Sequence, residues 1–182
     1  MKMSRESVLK VYLAGPWVFW REEETARFQR EARTLLDEIG GGAMTPVFPS
    51  DPIADRHRAG ALINMDVSSP EKIAAHCRRH IHTCDALLAD ITPFRGVQPD
   101  PGTVFEIGLA HGCGKMIVLY TRGPVPALRT RLVRAGLAAE GKGDGRDFDG
   151  ALIEDFGSPA DTMLSPYPLF DNLEAAVRHL AG

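Results

Sequence analysis

The chain alternates short, continuously apolar runs with stretches of helical periodicity, and this alternation restricts the fold more than any other feature. VLKVYLA (8–14), MTPVF (44–48), DALLADI (85–91) and MIVLY (116–120) read as strands. Runs without the polar–apolar alternation of a half-exposed strand imply strands covered on both faces. Glu22 to Ile39 predicts an amphipathic helix, with Phe28, Ala32, Leu35, Leu36 and Ile39 on one face and Gly40-Gly41-Gly42 as its stop. Pro49 to Leu62 reads as a polar loop, and Pro70 opens a helix running to about Thr83. Thr103 to Cys113 reads as a helix ended by Gly114-Lys115. Arg122 to Gly145, with its charges, glycines and prolines, is expected to be a mobile excursion or a poorly ordered helix. Asp171 and Glu174 make a capping-box pattern before a last helix, Leu173 to Leu180. Strands feeding helices in this order predict an α/β fold in a single domain, residues 1–182, with helices on both faces of a mainly parallel sheet of about five strands.

Composition narrows the function. With 182 residues, 44% of them hydrophobic, the chain can bury a substantial core. A net charge of -3 supplies no basic stripe for neutralising phosphates, which argues against a nucleic-acid partner. No apolar run approaches the roughly 20 residues that span a bilayer, so no membrane partner is expected. The start, MKMSRESVLKVYLAG, lacks the apolar core of a signal peptide, and three cysteines form no paired framework; both features suit a reducing cytoplasm.

Ligands of parallel α/β sheets bind beyond the carboxyl ends of the strands. The segments expected there are Gly15 to Trp20, Pro49 to Asp51 and Thr92 to Gly102, together with the start of the helix that carries Glu106. Glu106 has two readings. Thr103-Val-Phe-Glu106 fits the S/T-x-x-E capping box, in which Glu106 only returns a hydrogen bond to the Thr103 backbone. Alternatively, a helix N-terminus beside the crevice holds the carboxylate ionised near neutral pH, as a nucleophile requires. Asp100, on the preceding loop, is placed to serve as acid, base or sugar ligand. Two carboxylates in separated environments are the arrangement used for substitution at an anomeric carbon.

VYLAGPWVF (11–19), CDALLADITPFRG (84–96), PDPGTVFEIGLAHGCGK (99–115) and IEDFGSPADTML (153–164) together resemble the nucleoside 2-deoxyribosyltransferase family, in the family's order and over most of the chain. The D-x-G-T-x-F-E-x-G-x-A block is the specific one. The resemblance implies a flavodoxin-like fold and a homo-oligomer in which a neighbouring subunit's loop completes each site. It also implies exchange of the base of a deoxynucleoside through a covalent deoxyribosyl-enzyme, with nucleosides and free nucleobases as partners and no cofactor. Glu106 matches the family nucleophile, Asp100 the carboxylate that assists it, and Tyr12 a tyrosine that hydrogen-bonds the nucleophile. Trp17 matches an aromatic that packs on the base, and Gly102 a glycine that lets the backbone approach the sugar. Gly15, Asp90, Phe94 and Thr103, from the same blocks, complete the expected substrate-binding set. The sequence departs from the family at Cys77, where Asn or Asp commonly faces the substrate, and at Asp161, where an Asn is usual in the neighbour's loop.

The remaining motifs carry less. AHCRRHIHTC puts Cys77, His80 and Cys84 on one helix face, with His76 and His82 nearby. Structural zinc draws on ligand pairs from separate segments, so an ordinary core-facing stripe, without metal, is the expectation. Arg21 and Arg95 read as solvated charge, and GKGDGRDFDG (141–150) as flexible turn structure lacking the phosphate-loop signature. Two alternatives stand beside transfer: an N-glycosidase of nucleosides or their 5′-monophosphates, and a nucleotide-sensing module that binds without turnover.

Overall fold

The computed structural model describes residues 8–54, 62–141 and 144–182. Its main sheet has five parallel strands in the order β2-β1-β5-β6-β7: β1 Leu9–Ala14, β2 Met44–Val47, β5 Ala86–Asp90, β6 Met116–Tyr120 and β7 Leu169–Phe170. Taken along the chain, this is the 2-1-3-4-5 order of flavodoxin-like folds. The helices are α1 (Glu22–Gly40), α2 (Pro70–Thr83), α3 (Pro101–Gly112), α4 (Leu128–Arg134) and α5 (Leu173–Ala181).

Alternation along each strand sorts the core into two layers. Val11, Leu13, Leu88, Val118 and Tyr120 face α1 and α5. Tyr12, Ala14, Leu87, Ala89, Ile117 and Leu119 face α2 and α3. Both faces are therefore apolar, which is why the strands read as unbroken hydrophobic runs. Helix α1 ends where Gly41 takes the left-handed conformation, φ 56°, open to glycine at no steric cost.

Several local expectations change. The stretch read as a polar loop contains two antiparallel two-residue strands, β3 (Ile53–Ala54) and β4 (Leu62–Ile63); residues 55–61, within that reading, lie outside the described residues. Within Arg122 to Gly145, expected to be mobile or poorly ordered, α4 forms a regular helix with Leu128 and Arg131 buried. The last helix is capped by Asn172, whose side chain accepts from the Ala175 N–H, while Glu174 pairs with Arg178 instead of closing a capping box. In the glycine-rich 141–150 stretch, of which 142 and 143 are undescribed, Asp147 accepts from the Asp149 and Ala151 N–H groups and orders a turn. Among the described residues no helix is long and apolar enough to cross a membrane.

Candidate active site

The strand order reverses between β1 and β5, so a crevice opens beyond Ala14 and Asp90, and α3 starts beside it. Helix α3 begins two residues earlier than Thr103. Pro101 occupies its first position, where a missing N–H costs nothing, and Asp100 is the cap. The Asp100 Oδ2 accepts from the Thr103 N–H at 2.8 Å and from the Thr103 hydroxyl at 3.0 Å. This removes the capping-box reading: Thr103 is a buried donor to the true cap, and Glu106 has no capping duty. A Cβ at Gly102 would lie 3.0 Å from Asp100 Oδ2, so a side chain there would press on the cap.

Glu106 instead points at β1. Tyr12, on the α2/α3 face of the sheet, donates its hydroxyl to Glu106 Oε1 at 2.7 Å. Beside Glu106 lies a cavity of about 290 Å³ lined by Ile73, Ala74, Cys77, Arg78 and Ile81 of α2 and by Phe105 and Glu106 of α3, its exposed surface almost wholly apolar. Glu106 keeps an opening to solvent through this cavity, yet its surroundings are apolar enough to change its chemistry. Burial pushes its pKa up to about 7; the Tyr12 hydrogen bond opposes the rise and the charge of Asp100 adds to it. The expectation that the helix end keeps Glu106 ionised is therefore corrected. Glu106 is the sixth residue of α3, beyond the first turn where unsatisfied N–H groups stabilise an anion, and desolvation prevails. Burial likewise holds Tyr12 well above its ordinary pKa, so it stays a neutral donor, and it raises the Cys77 thiol.

Other expected site residues are on the wrong side of the sheet. Asp90 shares the parity of Leu88, is wholly buried, and accepts from the Thr92 N–H and from Arg122 Nε at 2.9 Å each. Arg122 in turn lies over the Trp20 ring. Asp90 is thus committed to an ion pair in the α1/α5 layer and is not available to a substrate beside Glu106. Trp17 is 1% exposed and packs on Phe28 and Phe48 in that layer, so it cannot stack on a base without leaving the core. Gly15 serves this packing: a Cβ there would lie 2.8 Å from Trp17 Cδ1 and 3.0 Å from Asp90 Cβ. The cause is a 3₁₀ turn, Pro16–Phe19, which directs Trp17 inward.

The same turn exposes Phe19, which sequence reasoning passed over. Phe19 is 55% exposed and stacks on Phe94, ring centroids 5.5 Å apart, with the Arg95 guanidinium over both rings. Arg95, expected as solvated surface charge, instead has a left-handed φ of 52° and lies over the aromatic pair. Phe94 also lines the cleft that runs along the loop to Asp100 and Pro101. Asp161 caps its own turn, its Oδ1 accepting from the Met163 and Leu164 N–H groups at 3.0 Å each.

The His/Cys face of α2 is divided among separate tasks. His76 and His80 both direct Nε2 at the Asp51 carbonyl, Cys84 is core, and Cys77 faces the Glu106 cavity. A larger cleft, about 550 Å³, lies beside Lys10, Arg33 and His80, but its Asp51 already accepts from the Phe48 N–H and from Arg33. The Glu106 cavity is the better site, because its carboxylate is desolvated and, among the described residues, held by a single donor.

A family model described as Nucleoside 2-deoxyribosyltransferase matches residues 11–163. The solved structure of a 2-desoxiribosyltransferase from Leishmania mexicana is 28% identical, with a TM-score of 0.69, and the match covers 95% of this chain and 97% of that one. A 2-deoxyribosyltransferase from Bacillus psychrosaccharolyticus is 20% identical at a TM-score of 0.43, over 90% of this chain and 99% of that one. A CMP N-glycosidase from Clostridium botulinum is 24% identical at a TM-score of 0.38, over 62% of this chain and 68% of that one. No curated protein matches significantly. With the family model spanning most of the sequence, the chain belongs to the nucleoside 2-deoxyribosyltransferase family.

Proposed function

We propose that the protein exchanges the base of a 2′-deoxynucleoside by double displacement, with the whole chain working as one domain and Glu106 as the nucleophile. The observation that carries this reading is the Glu106 carboxylate, held by Tyr12 at 2.7 Å at the mouth of an apolar cavity, with Asp100 close enough to raise its pKa. In the first step ionised Glu106 attacks C1′, the C1′–N bond breaks, and its electron pair leaves with the base, which takes a proton from solvent beside the Asp100 carboxylate. In the second step a nitrogen of the incoming base attacks C1′ from the vacated face, the ester bond to Glu106 breaks, and the N–H proton of the incoming base returns to solvent beside the Asp100 carboxylate. Two inversions retain configuration.

The cavity suits this chemistry for an electrostatic reason. Positive charge develops on the sugar ring as the base departs, and a poorly solvated carboxylate stabilises it far better than a hydrated one. Tyr12 stays protonated and fixes which carboxylate oxygen is engaged, leaving the other for C1′. The exposed Phe19–Phe94 pair offers an aromatic surface beside the crevice for the departing and incoming bases. The loop with Asp161 is assigned to a neighbouring subunit's site in a homo-oligomer, on the resemblance of IEDFGSPADTML to the family block.

The test is incubation with a deoxynucleoside, with and without a second free base. A new nucleoside is expected; free sugar alone indicates hydrolysis, and no product indicates a binding module. Protein quenched with a slow 2′-fluoro substrate should carry the sugar on Glu106, and Glu106→Gln should carry none. Near-normal transfer by Glu106→Gln would remove the nucleophile assignment.

A further inference from the structure

Arg131 sits on α4, is only 8% exposed, and joins no ion pair among the described residues. Its guanidinium donates instead to three backbone carbonyls from three segments: Nε to Val97 at 2.8 Å, Nη1 to Pro126 at 2.5 Å, and Nη2 to Pro159 at 3.0 Å. Burying a cation without a counter-ion is costly, and an apolar side chain could fill the same volume. What only arginine supplies is a planar fork whose donors have fixed directions.

One of the three carbonyls belongs to the loop that leads to Asp100, and another to the loop assigned above to a neighbouring subunit's site. Val97 lies three residues before Asp100, in a loop otherwise closed by the Phe94 N–H to Gln98 carbonyl bond at 3.0 Å. Pro159 lies two residues before Asp161, in the segment that α4 also holds through the Leu128 N–H to Ser158 carbonyl bond at 3.3 Å. One side chain therefore fixes the spacing between the loop that delivers Asp100 and the loop that carries Asp161.

We propose that Arg131 is a positioning residue for base exchange: it touches no substrate and acts by holding the Val97–Asp100 loop, and hence the Asp100 carboxylate, in register with α3. The inference rests on the proposed function. A small displacement of an assisting group is enough to cost about 100-fold in rate.

The experiment compares wild type, Arg131→Met, Arg131→Lys and a control truncation in the α1/α5 core layer, Leu180→Ala, by steady-state base exchange and thermal melting. Arg131→Met should lower kcat about 100-fold with little change in KM for the deoxynucleoside, and Arg131→Lys should recover part of the loss. Leu180→Ala should keep its kcat while losing melting temperature. A purely structural role predicts that Arg131→Met behaves like Leu180→Ala, so an undiminished kcat in folded Arg131→Met overturns the proposal. Should Arg131→Met fail to fold, Arg131→Lys decides: a tenfold lower kcat at wild-type melting temperature supports the role, and an unchanged kcat overturns it. An inactive wild type overturns the functional reading and this inference together; an active wild type matched by Arg131→Met overturns only this one.

Discussion

Replacing Glu106 with glutamine should abolish base exchange and at the same time stabilise the folded protein at alkaline pH. Burial pushes the Glu106 carboxyl from its ordinary value of 4.5 up to about 7. A carboxyl whose folded pKa exceeds its unfolded one binds its proton more tightly in the native state. Its stabilisation is fully present below pH 4.5 and is lost as pH rises through about 7. At about 1.4 kcal/mol per tenfold change in proton affinity, the upper value of the loss above pH 8 is about 3 kcal/mol. Solvent entering the cavity screens the charge and brings the figure nearer to about 2 kcal/mol. Glutamine has the same shape, keeps an acceptor for the Tyr12 hydroxyl, and cannot ionise. Chemical denaturation of both proteins at pH 5 and pH 8 should show the variant gaining about 2 kcal/mol relative to wild type across that interval, or roughly 4–8 °C in Tm for a chain of this length. Parallel stability–pH curves would refute the reasoning, because they would mean that Glu106 is solvated and ionised throughout.

The same shift predicts that kcat/KM for the free enzyme rises with pH through about 7 and then levels, and Tyr12→Phe, which removes the hydrogen bond that favours the carboxylate, should move this limb to higher pH. A limb near pH 4.5 in wild type would contradict it. Trp17→Ala should cost about 3–5 kcal/mol in denaturant unfolding, whereas Phe19→Ala should leave stability nearly unchanged and raise KM for the nucleobase. The reverse pattern would return Trp17 to the site. If Asp161 meets the substrate's 5′ end, a 5′-monophosphate should be a poor substrate, since like charges about 4 Å apart at an effective dielectric near 20 repel by about 4 kcal/mol. Asp161→Asn should relax that discrimination, and equal use of the monophosphate by wild type would count against the placement.

The layers of the fold were legible in the sequence because burial on both faces leaves unbroken apolar runs, and VLKVYLA, DALLADI and MIVLY each became a strand of the parallel sheet. The helix α4 was not, because its seven residues are short, basic and framed by glycine and proline, and its order comes from contacts made elsewhere. Arg131 reaches Val97 and Pro159 across intervals that no local pattern encodes. The cap of α3 was misplaced for a local reason. TVFE satisfies the capping-box spacing, but Asp100-Pro101 satisfies a stronger start signal three residues earlier.

The site divides by the parity of side chains at the strand ends. Tyr12 and Glu106 meet because Tyr12 alternates onto the α2/α3 face, and one residue's shift along β1 would have sent it into the other core. Asp90 and Trp17 occupy sequence blocks as suggestive as those of Tyr12, yet both fall in the α1/α5 layer. Motif blocks record proximity to the crevice and not which face of the sheet a side chain takes. For Glu106 the face decides the chemistry. Set one turn deeper into α3 than the helix end that would have stabilised its charge, and lined mainly by apolar side chains of α2, it is a carboxyl whose ionisation costs free energy. In the proposed reaction that cost would diminish as positive charge builds on the bound sugar and vanish on forming the neutral ester, so the cavity would favour the covalent step over the resting carboxylate.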